Sequence, residues 1–215
     1  MPSILDMTLK RIICSYFYSR KRNILDEQRT RETGTSLTPE SLIEKLTKKL
    51  ESHPFSYAQA AVAILVKPKK DDLEFLLVKR AEVDDDPWSG DMAFPGGKKN
   101  PQDKTLVDTV IRELLEETSI NLSQKKAIGF MKPVYSSVRK TLAVQPIVYR
   151  FEEYPEIHLN YELTKFIWAP LSEMKNGKTK TKVKGWEEPV YQVKGEIVWG
   201  LTFRMLEKLF TLLED

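Results

Sequence analysis

The chain contains little cysteine and histidine, and this excludes several kinds of site. Its only cysteine is Cys14, so no internal disulfide can form and a reducing, cytoplasmic setting is expected. Its only histidines are His53 and His158, which gives poor support to a histidine zinc site or to a Ser-His-Asp triad. The chemistry of this protein is therefore expected to rest on other side chains.

Long apolar segments are also missing. The longest purely apolar run is Ala60–Val66, which is far too short to span a membrane. Asp6, Lys10 and Arg11 interrupt the apolar residues near the N-terminus, and no signal peptide is expected there. The sequence therefore predicts a globular protein without a membrane partner.

The net charge is small as well. A formal charge of +3 over 215 residues does not by itself indicate binding to nucleic acid. Basic residues nevertheless cluster at Ser19–Arg22 and at Lys175–Gly185. Such clusters are usually solvated surface, and the alternative is a rim that attracts phosphate-rich ligands, RNA among them.

The order of the predicted elements favours an α+β fold. Residues 1–56 are interpreted as an N-terminal helical extension, whose second helix has Thr38 as its cap and Pro39 at its first position. Residues 57–215 form the predicted main domain, with strands first, one helix over Leu106–Thr118, more strands and a closing helix. This order predicts a mixed sheet between helices. Alternative roles for the first helix are to build a homodimer interface or to lie on a membrane surface.

Carboxylates crowd one face of the internal helix. Because each helical residue advances by about 100°, Glu113, Glu116 and Glu117 lie within roughly a third of the circumference. Hard divalent cations such as Mg²⁺ or Mn²⁺ prefer oxygen ligands of this kind. The alternative is a solvated face on which Arg112 pairs with Glu116 at i,i+4. An adjacent apolar arc would anchor the helix to the sheet, and it consists of Val107, Val110, Ile111 and Leu114.

A Pro-Gly-Gly turn precedes this helix. Gly96 and Gly97 permit backbone conformations that other residues avoid, and they let a metal or a phosphate approach the main chain. Asp103 lies near the start of the helix, where it either caps the helix or pairs with Arg112.

The stretch Gly97–Ile120 resembles the Nudix box, Gly-x5-Glu-x7-Arg-Glu-U-x-Glu-Glu-x-Gly-U, in which U is a bulky aliphatic residue. Asp103 stands at the position of the first glutamate, one extra residue precedes Arg112, and Ser119 replaces the last glycine. The aspartate and the longer spacing resemble a Nudix branch that includes coenzyme A pyrophosphatases. The matching residues are Gly97, Arg112, Glu113, Leu114, Glu116, Glu117 and Ile120.

Segments outside the box also resemble that branch, namely "LLVKR", "FPGGK", "PLSEM" and "VWGLTFRMLEKL". The branch carries a Leu-Arg-x-His-x-Gly signature before its Phe-Pro-Gly-Gly turn. Here "DDPWSGD" stands in that place, with Gly90 retained and the Arg and His absent. Specificity for coenzyme A itself is therefore less expected than membership of the branch, although coenzyme A remains the best single candidate.

The resemblance implies the Nudix fold and metal-dependent hydrolysis of a nucleoside diphosphate linked to another moiety, which would be coenzyme A-like, a sugar or a second nucleoside. Carried over by position, Glu113, Glu116 and Glu117 are the expected ligands of Mg²⁺ or Mn²⁺, together with the carbonyl of Gly97. Glu113 and Glu116 are also expected to be catalytic. Arg112 is placed with these catalytic residues, where it would orient Glu113 or its neighbours or else contact the substrate. Glu162 is the candidate for an additional ligand or general base, with Glu152, Glu153 and Glu156 as alternatives.

Recognition of the substrate is assigned to two residues beside the turn. Arg80 would contact a phosphate or else form a surface ion pair, and Trp88 would stack on a base or else fill the core. Tyr191 and Trp199 are expected to pack. Two other functions stay open, a nucleoside triphosphate or RNA 5′-end pyrophosphohydrolase and an inactive binding module. A module of that kind would be expected to have lost one of the three box glutamates.

Overall fold

The computed structural model describes residues 38–214, and the predicted first helix lies outside them. The first described element is helix α1 (Pro39–Lys49), which begins at Pro39 as predicted. Ile43 and Leu46 of α1 are buried in the same core as residues from the rest of the chain. The predicted boundary at residue 57 stays a prediction.

The remaining elements alternate between strands and a few helices. None of the helices within residues 38–214 has the length and apolar character needed to cross a membrane. In chain order the elements are β1 (Ala60–Lys69), β2 (Asp72–Arg80), β3 (Met92–Ala93), β4 (Gly96–Lys98), α2 (Leu106–Thr118), β5 (Gly129–Phe130), β6 (Val134–Tyr135), β7 (Ala143–Arg150), β8 (Leu163–Pro170), α3 (Leu171–Asn176), β9 (Lys178–Val183), β10 (Trp186–Val193), β11 (Glu196–Val198) and α4 (Gly200–Glu214).

A mixed sheet of eight strands forms the centre of the fold. Strand β1 pairs with β7 in parallel and with β2 and β4 in antiparallel orientation. On the far side of β2 lies β8, whereas β3 pairs with the end of β2 on the same side as β1, and β5 and β6 both pair with β7. A separate sheet has the order β11-β10-β9. Because β4 pairs with the start of β1, the Pro-Gly-Gly turn lies beside the first residues of that strand.

Side chains of β1 alternate between two layers, as the period of two requires. Ile64 and Val66 belong to the core under α1 and α4, whereas Ala63 and Leu65 belong to the core under α2. The sheet is thus covered by helices on both faces, which confirms the predicted α+β fold with a mixed sheet between helices.

Two predicted elements differ in detail. The predicted closing helix over residues 197–214 is wrong at its start, because Glu196–Val198 pairs with β10 and the helix begins at Gly200. The single strand predicted over residues 127–135 is divided into β5 and β6. The first difference arises because β11 pairs with the preceding strand β10, and the second because β5 and β6 pair separately with β7. The predicted hairpin is present as β9 and β10.

Candidate active site

Helix α2 is fixed at its N-terminus by a capping box. The hydroxyl of Thr105 accepts a hydrogen bond from the Asp108 amide, and the Asp108 carboxylate accepts one from the Thr105 amide. Val110 and Leu114 are fully buried against the sheet. The position of these buried residues turns the acidic face of the helix toward β4.

Arg112 and Asp103 form a two-pronged ion pair. Arg112 Nε donates to Asp103 Oδ1 at 3.1 Å, and Nη2 donates to Oδ2 at 2.9 Å. The hydrogen bonds from Arg112 lower the pKa of Asp103 to about 2, although burial opposes this shift. The predicted pairing of these two residues is confirmed, and the cap of the helix is Thr105 instead of Asp103.

The same guanidinium reaches two box glutamates. Arg112 Nη1 lies 2.9 Å from Glu113 Oε1 and 3.2 Å from Glu116 Oε2. The i,i+4 pair with Glu116, predicted as the alternative, is therefore present, and it coexists with a contact to Glu113. This geometry fits a residue that orients the carboxylates, and that role stays a prediction.

The three box glutamates have different environments. The side chain of Glu116 is 56% exposed, whereas that of Glu113 is 19% exposed. Glu117 is buried, and its Oε2 accepts a hydrogen bond from the Gly96 amide at 2.9 Å. Burial, assisted by the charges of Glu113 and Glu162 and opposed by the Gly96 hydrogen bond, raises the pKa of Glu117 to about 8. A positive charge nearby would therefore stabilise the ionised form of the Glu117 carboxyl.

The two glycines of the turn serve different purposes. A Cβ on Gly97 would lie 2.4 Å from Glu113 Oε1, so glycine lets that carboxylate rest against the main chain. Gly96 has φ of +141°, and a Cβ there would lie 2.3 Å from the Ala61 carbonyl oxygen. The absence of a side chain at Gly97 thus leaves space for the Glu113 carboxylate, whereas at Gly96 it allows β4 to pair closely with β1.

Glu162 approaches the cluster from the loop before β8. Its charge contributes to the raised pKa values of both Glu113 and Glu117. Its main-chain carbonyl accepts a hydrogen bond from the Ala81 amide at 2.7 Å, which ties this loop to the end of β2. The structure therefore brings Glu162 together with the box glutamates, and its role as base or ligand stays a prediction.

The alternative acids have other surroundings. Glu152 pairs with Arg150 at 2.7 Å, and Glu156 pairs with His158 at 2.9 Å. Glu153 is exposed. Neither of the two ion pairs involves the box.

The donor set of the cluster suits a hard divalent cation. Carboxylate oxygens dominate it, Gly97 leaves space that a Cβ would fill, and a raised pKa marks Glu117 as a buried carboxyl surrounded by like charge. Within residues 38–214, no group of three or more His, Cys, Asp or Glu side chains has the geometry to hold a metal ion directly. Arg112 contacts Glu113 and Glu116 in this arrangement, so ligation would require those carboxylates to turn.

A cavity of about 280 Å³ lies beside the turn and is lined by Gly96, Gly97 and Glu117. Arg80 and Trp88, predicted to contact substrate, both line it. Several other lining residues were not predicted to belong to the site, and they come from the loops before β3 and after β6 and from around the start of α4. These residues include Asp91, Ser136, Val138, Trp199, Thr202 and Met205.

Arg80 and Trp88 are joined through Asp86. Arg80 Nη2 donates to Asp86 Oδ2 at 2.8 Å, and the Trp88 amide donates to Asp86 Oδ1 at 3.1 Å. Counted back from Gly90, Asp86 and Trp88 stand where the signature of the coenzyme A branch has its Arg and His. Arg80 thus forms an ion pair, which was the alternative predicted for it, and it also lines the cavity.

Tyr191 and Trp199 have different roles. Tyr191 is buried with its ring 4.8 Å from that of Phe203, which confirms that it packs. Trp199 Nε1 donates to Asp91 Oδ1 at 3.0 Å, and the ring lines the cavity. The expectation of packing alone is therefore incomplete for Trp199.

The chain is similar to known proteins over most of the described region. The NUDIX domain family model matches residues 57–192. The uncharacterized Nudix hydrolase NudL of Photorhabdus laumondii is 29% identical over 160 residues, which cover 71% of this chain and 82% of that protein. NudL of Yersinia pestis strain Pestoides F is 29% identical over 169 residues, or 74% of this chain and 82% of that protein.

Among solved structures, a MutT protein from Methanosarcina mazei Go1 has a TM-score of 0.50 and 22% identity. The match covers 73% of this chain and 94% of that chain. At this level of identity, the similarity concerns the fold.

Proposed function

The chain belongs to the Nudix family, and we propose that it is a metal-dependent hydrolase that cleaves the pyrophosphate bond of a nucleoside diphosphate linked to another moiety. Family membership confirms the predicted superfamily and the predicted class of enzyme, a pyrophosphohydrolase. One observation carries the finer proposal. The charges of Glu113, Glu116, Glu117 and Glu162 act on one another, Glu113 rests against Gly97, and Glu117 lines the cavity.

Glu113, Glu116 and Glu117, with the carbonyl of Gly97, would hold Mg²⁺ or Mn²⁺. When bound, such cations neutralise pyrophosphate oxygens and lower the pKa of an attacking water. Glu162 is the proposed acceptor of the proton from that water, because it reaches the cluster from a separate loop. Asp103 holds Arg112 in place, and Arg112 limits where Glu113 and Glu116 can move.

The cavity supports a conjugate in preference to a simple triphosphate. It offers the group beyond the diphosphate a site with aromatic side chains at Trp88 and Trp199 in its wall. Arg80 lines the same cavity and is near enough to lower the pKa of Glu117, so its charge also acts on a diphosphate bound there. A coenzyme A-like compound, a nucleotide sugar or a dinucleotide would each fill such a site.

Product analysis tests this proposal. The full-length protein is assayed with Mg²⁺ or Mn²⁺ on coenzyme A, ADP-ribose, NADH, diadenosine polyphosphates, nucleoside triphosphates and capped RNA. A nucleoside monophosphate and the phosphorylated remainder are expected, and a chelator should abolish their release. Orthophosphate as the sole phosphate product would contradict cleavage at the pyrophosphate bridge. Binding without turnover of any compound would instead favour the inactive binding module.

A further inference from the structure

The hairpin of β9 and β10 extends to the cavity wall. Its turn residues Lys184 and Gly185 have φ of 49° and 91°, as two-residue hairpin turns require. Lys184 Nζ donates to the Pro87 carbonyl at 2.8 Å and to the Ser89 carbonyl at 3.2 Å. The tip of the hairpin is thereby attached to the loop that precedes the Pro-Gly-Gly turn.

The same ammonium group also contacts the start of the C-terminal helix. Lys184 Nζ lies 3.0 Å from Asp91 Oδ1 and 5.3 Å from the centre of the Trp199 ring. Trp199 Nε1 donates to that same Asp91 oxygen. One lysine thus connects a loop and a helix start that are far apart in the chain.

These contacts lie at the surface of the cavity. Pro87, Asp91 and Trp199 all line it, and each of them touches Lys184. Two carbonyls, a carboxylate and an aromatic face surround the ammonium group of Lys184. Removal of this group would leave all four without the positive charge that they share. The wall would then have fewer constraints on its position.

The base of the hairpin is held firmly, so its tip can act as a fixed support. Glu196 of β11 accepts hydrogen bonds from Lys79 at 3.0 Å and from Lys165 at 2.8 Å. Its side chain is only 13% exposed. These pairs join the three-stranded sheet to β2 and β8 of the central sheet. At the other end of the hairpin, Lys184 binds the cavity wall.

We infer that Lys184 is a positioning residue that holds the 87–91 segment against Trp199 and so sets the site for the moiety attached to the diphosphate. The inference rests on the proposed function. The contacts of Lys184 join this wall to the hairpin, while the box glutamates lie on α2. Its removal should therefore weaken substrate binding more than it slows the chemical step.

Steady-state kinetics of three variants test this effect. In Lys184→Met, which keeps chain length but removes the charge and donors, KM should rise about tenfold while kcat changes less than about twofold. Lys184→Arg should restore most of the affinity, because it keeps the charge. Lys182→Met is the matched control, since Lys182 is exposed on the same hairpin and pairs in register with Glu187. An unchanged KM in Lys184→Met, an equal rise in Lys182→Met, or a fall in kcat alone would overturn the inference.

Hydrogen exchange of the metal-free, full-length protein provides a readout that needs no substrate. Amides of Ser89, Gly90 and Asp91 should exchange severalfold faster in Lys184→Met and at the wild-type rate in Lys182→Met. Equal exchange in wild type and Lys184→Met would overturn the positioning role, whichever substrate is found. If the wild-type protein hydrolyses nothing on the panel, the proposed function fails, and faster exchange would still establish that Lys184 holds this wall.

Discussion

The Arg112 guanidinium is shared between Asp103, which is almost fully buried, and two glutamates of the acidic cluster. Its two hydrogen bonds to Asp103 measure 3.1 and 2.9 Å. Because the Asp103 side chain is only 5% exposed, this carboxylate is a fixed anchor. The exposed Glu116 can move, and Asp103 therefore determines where Arg112 stands.

Replacement of Asp103 by Asn should lower the free energy of unfolding by about 2 kcal/mol near neutral pH. Arg112 would lose a charged partner and would contact the box glutamates alone. Urea unfolding measures the change, with Asp84→Asn in an exposed loop as the control. The pKa of Asp103 is about 2 in the folded protein against an ordinary 3.8, so its contribution is complete above 3.8 and lost as the pH falls toward 2. A deficit that persists undiminished below pH 2 would contradict this account.

The two glycines of the turn should respond differently to alanine. In Gly97→Ala, the new Cβ meets the end of the flexible Glu113 side chain, so the fold should survive while activity falls about tenfold or more. In Gly96→Ala, the Cβ meets backbone at Ala61 and φ is positive, so stability itself should fall by about 2 kcal/mol or more. Thermal unfolding and initial rates separate the two effects. Equal loss of stability in both variants would show that Gly97 is a structural glycine.

Glu116→Gln should lower turnover by about a hundredfold or more at saturating Mg²⁺, since the variant loses a negatively charged ligand. Its side chain is 56% exposed, so the melting temperature should hardly change. Glu44→Gln, on the exposed face of helix α1, is the matched control. Full activity of the Glu116 variant would remove this residue from the proposed metal site.

Much of helix α2 could be predicted because its signals are local. The apolar residues Val110 and Leu114 and the acidic face follow from spacing within one short segment, whereas the cap, for which Asp103 was a candidate, lies at Thr105. The different burial of Glu116 and Glu117 could not be predicted, because it depends on β4 lying over the helix. The positions of Trp199 and Lys184 at the cavity wall likewise depend on β11 and on a hairpin that is distant in sequence.

Ser119→Gly should raise the free energy of unfolding by about 1 kcal/mol. Ser119 ends helix α2 with φ of 62°, a left-handed conformation in which glycine avoids the strain of a Cβ. The Nudix box has glycine at this position. Urea unfolding checks the change, and Ser123→Gly in the following loop is a control that should not stabilise. A decrease in stability would mean that the 3.3 Å hydrogen bond from Ser119 Oγ to the His158 carbonyl outweighs the strain.

Glu117→Gln should make the metal-free protein more stable at alkaline pH while it abolishes activity. Burial raises the pKa of Glu117 to about 8 from an ordinary 4.5, so ionisation destabilises the fold increasingly as the pH rises from 4.5 to 8. Glutamine can still accept the hydrogen bond from Gly96 but never ionises. In the presence of a chelator, the variant should melt roughly 3 °C or more above wild type at pH 9, and the two should converge below pH 4.5.

Magnesium should reverse this order if Glu117 is a metal ligand. A cation that binds only the folded protein stabilises it, and it would also neutralise the buried carboxylate. Added Mg²⁺ should therefore raise the melting temperature of the wild-type protein at pH 8–9 and leave that of Glu117→Gln nearly unchanged. The raised pKa would then reflect a carboxylate whose burial, together with neighbouring like charges, destabilises the empty protein and favours binding of the cation. A chelated variant that is less stable than wild type at pH 9 would show that ionised Glu117 stabilises the fold, and the case for a metal at this carboxylate would lose its physical basis.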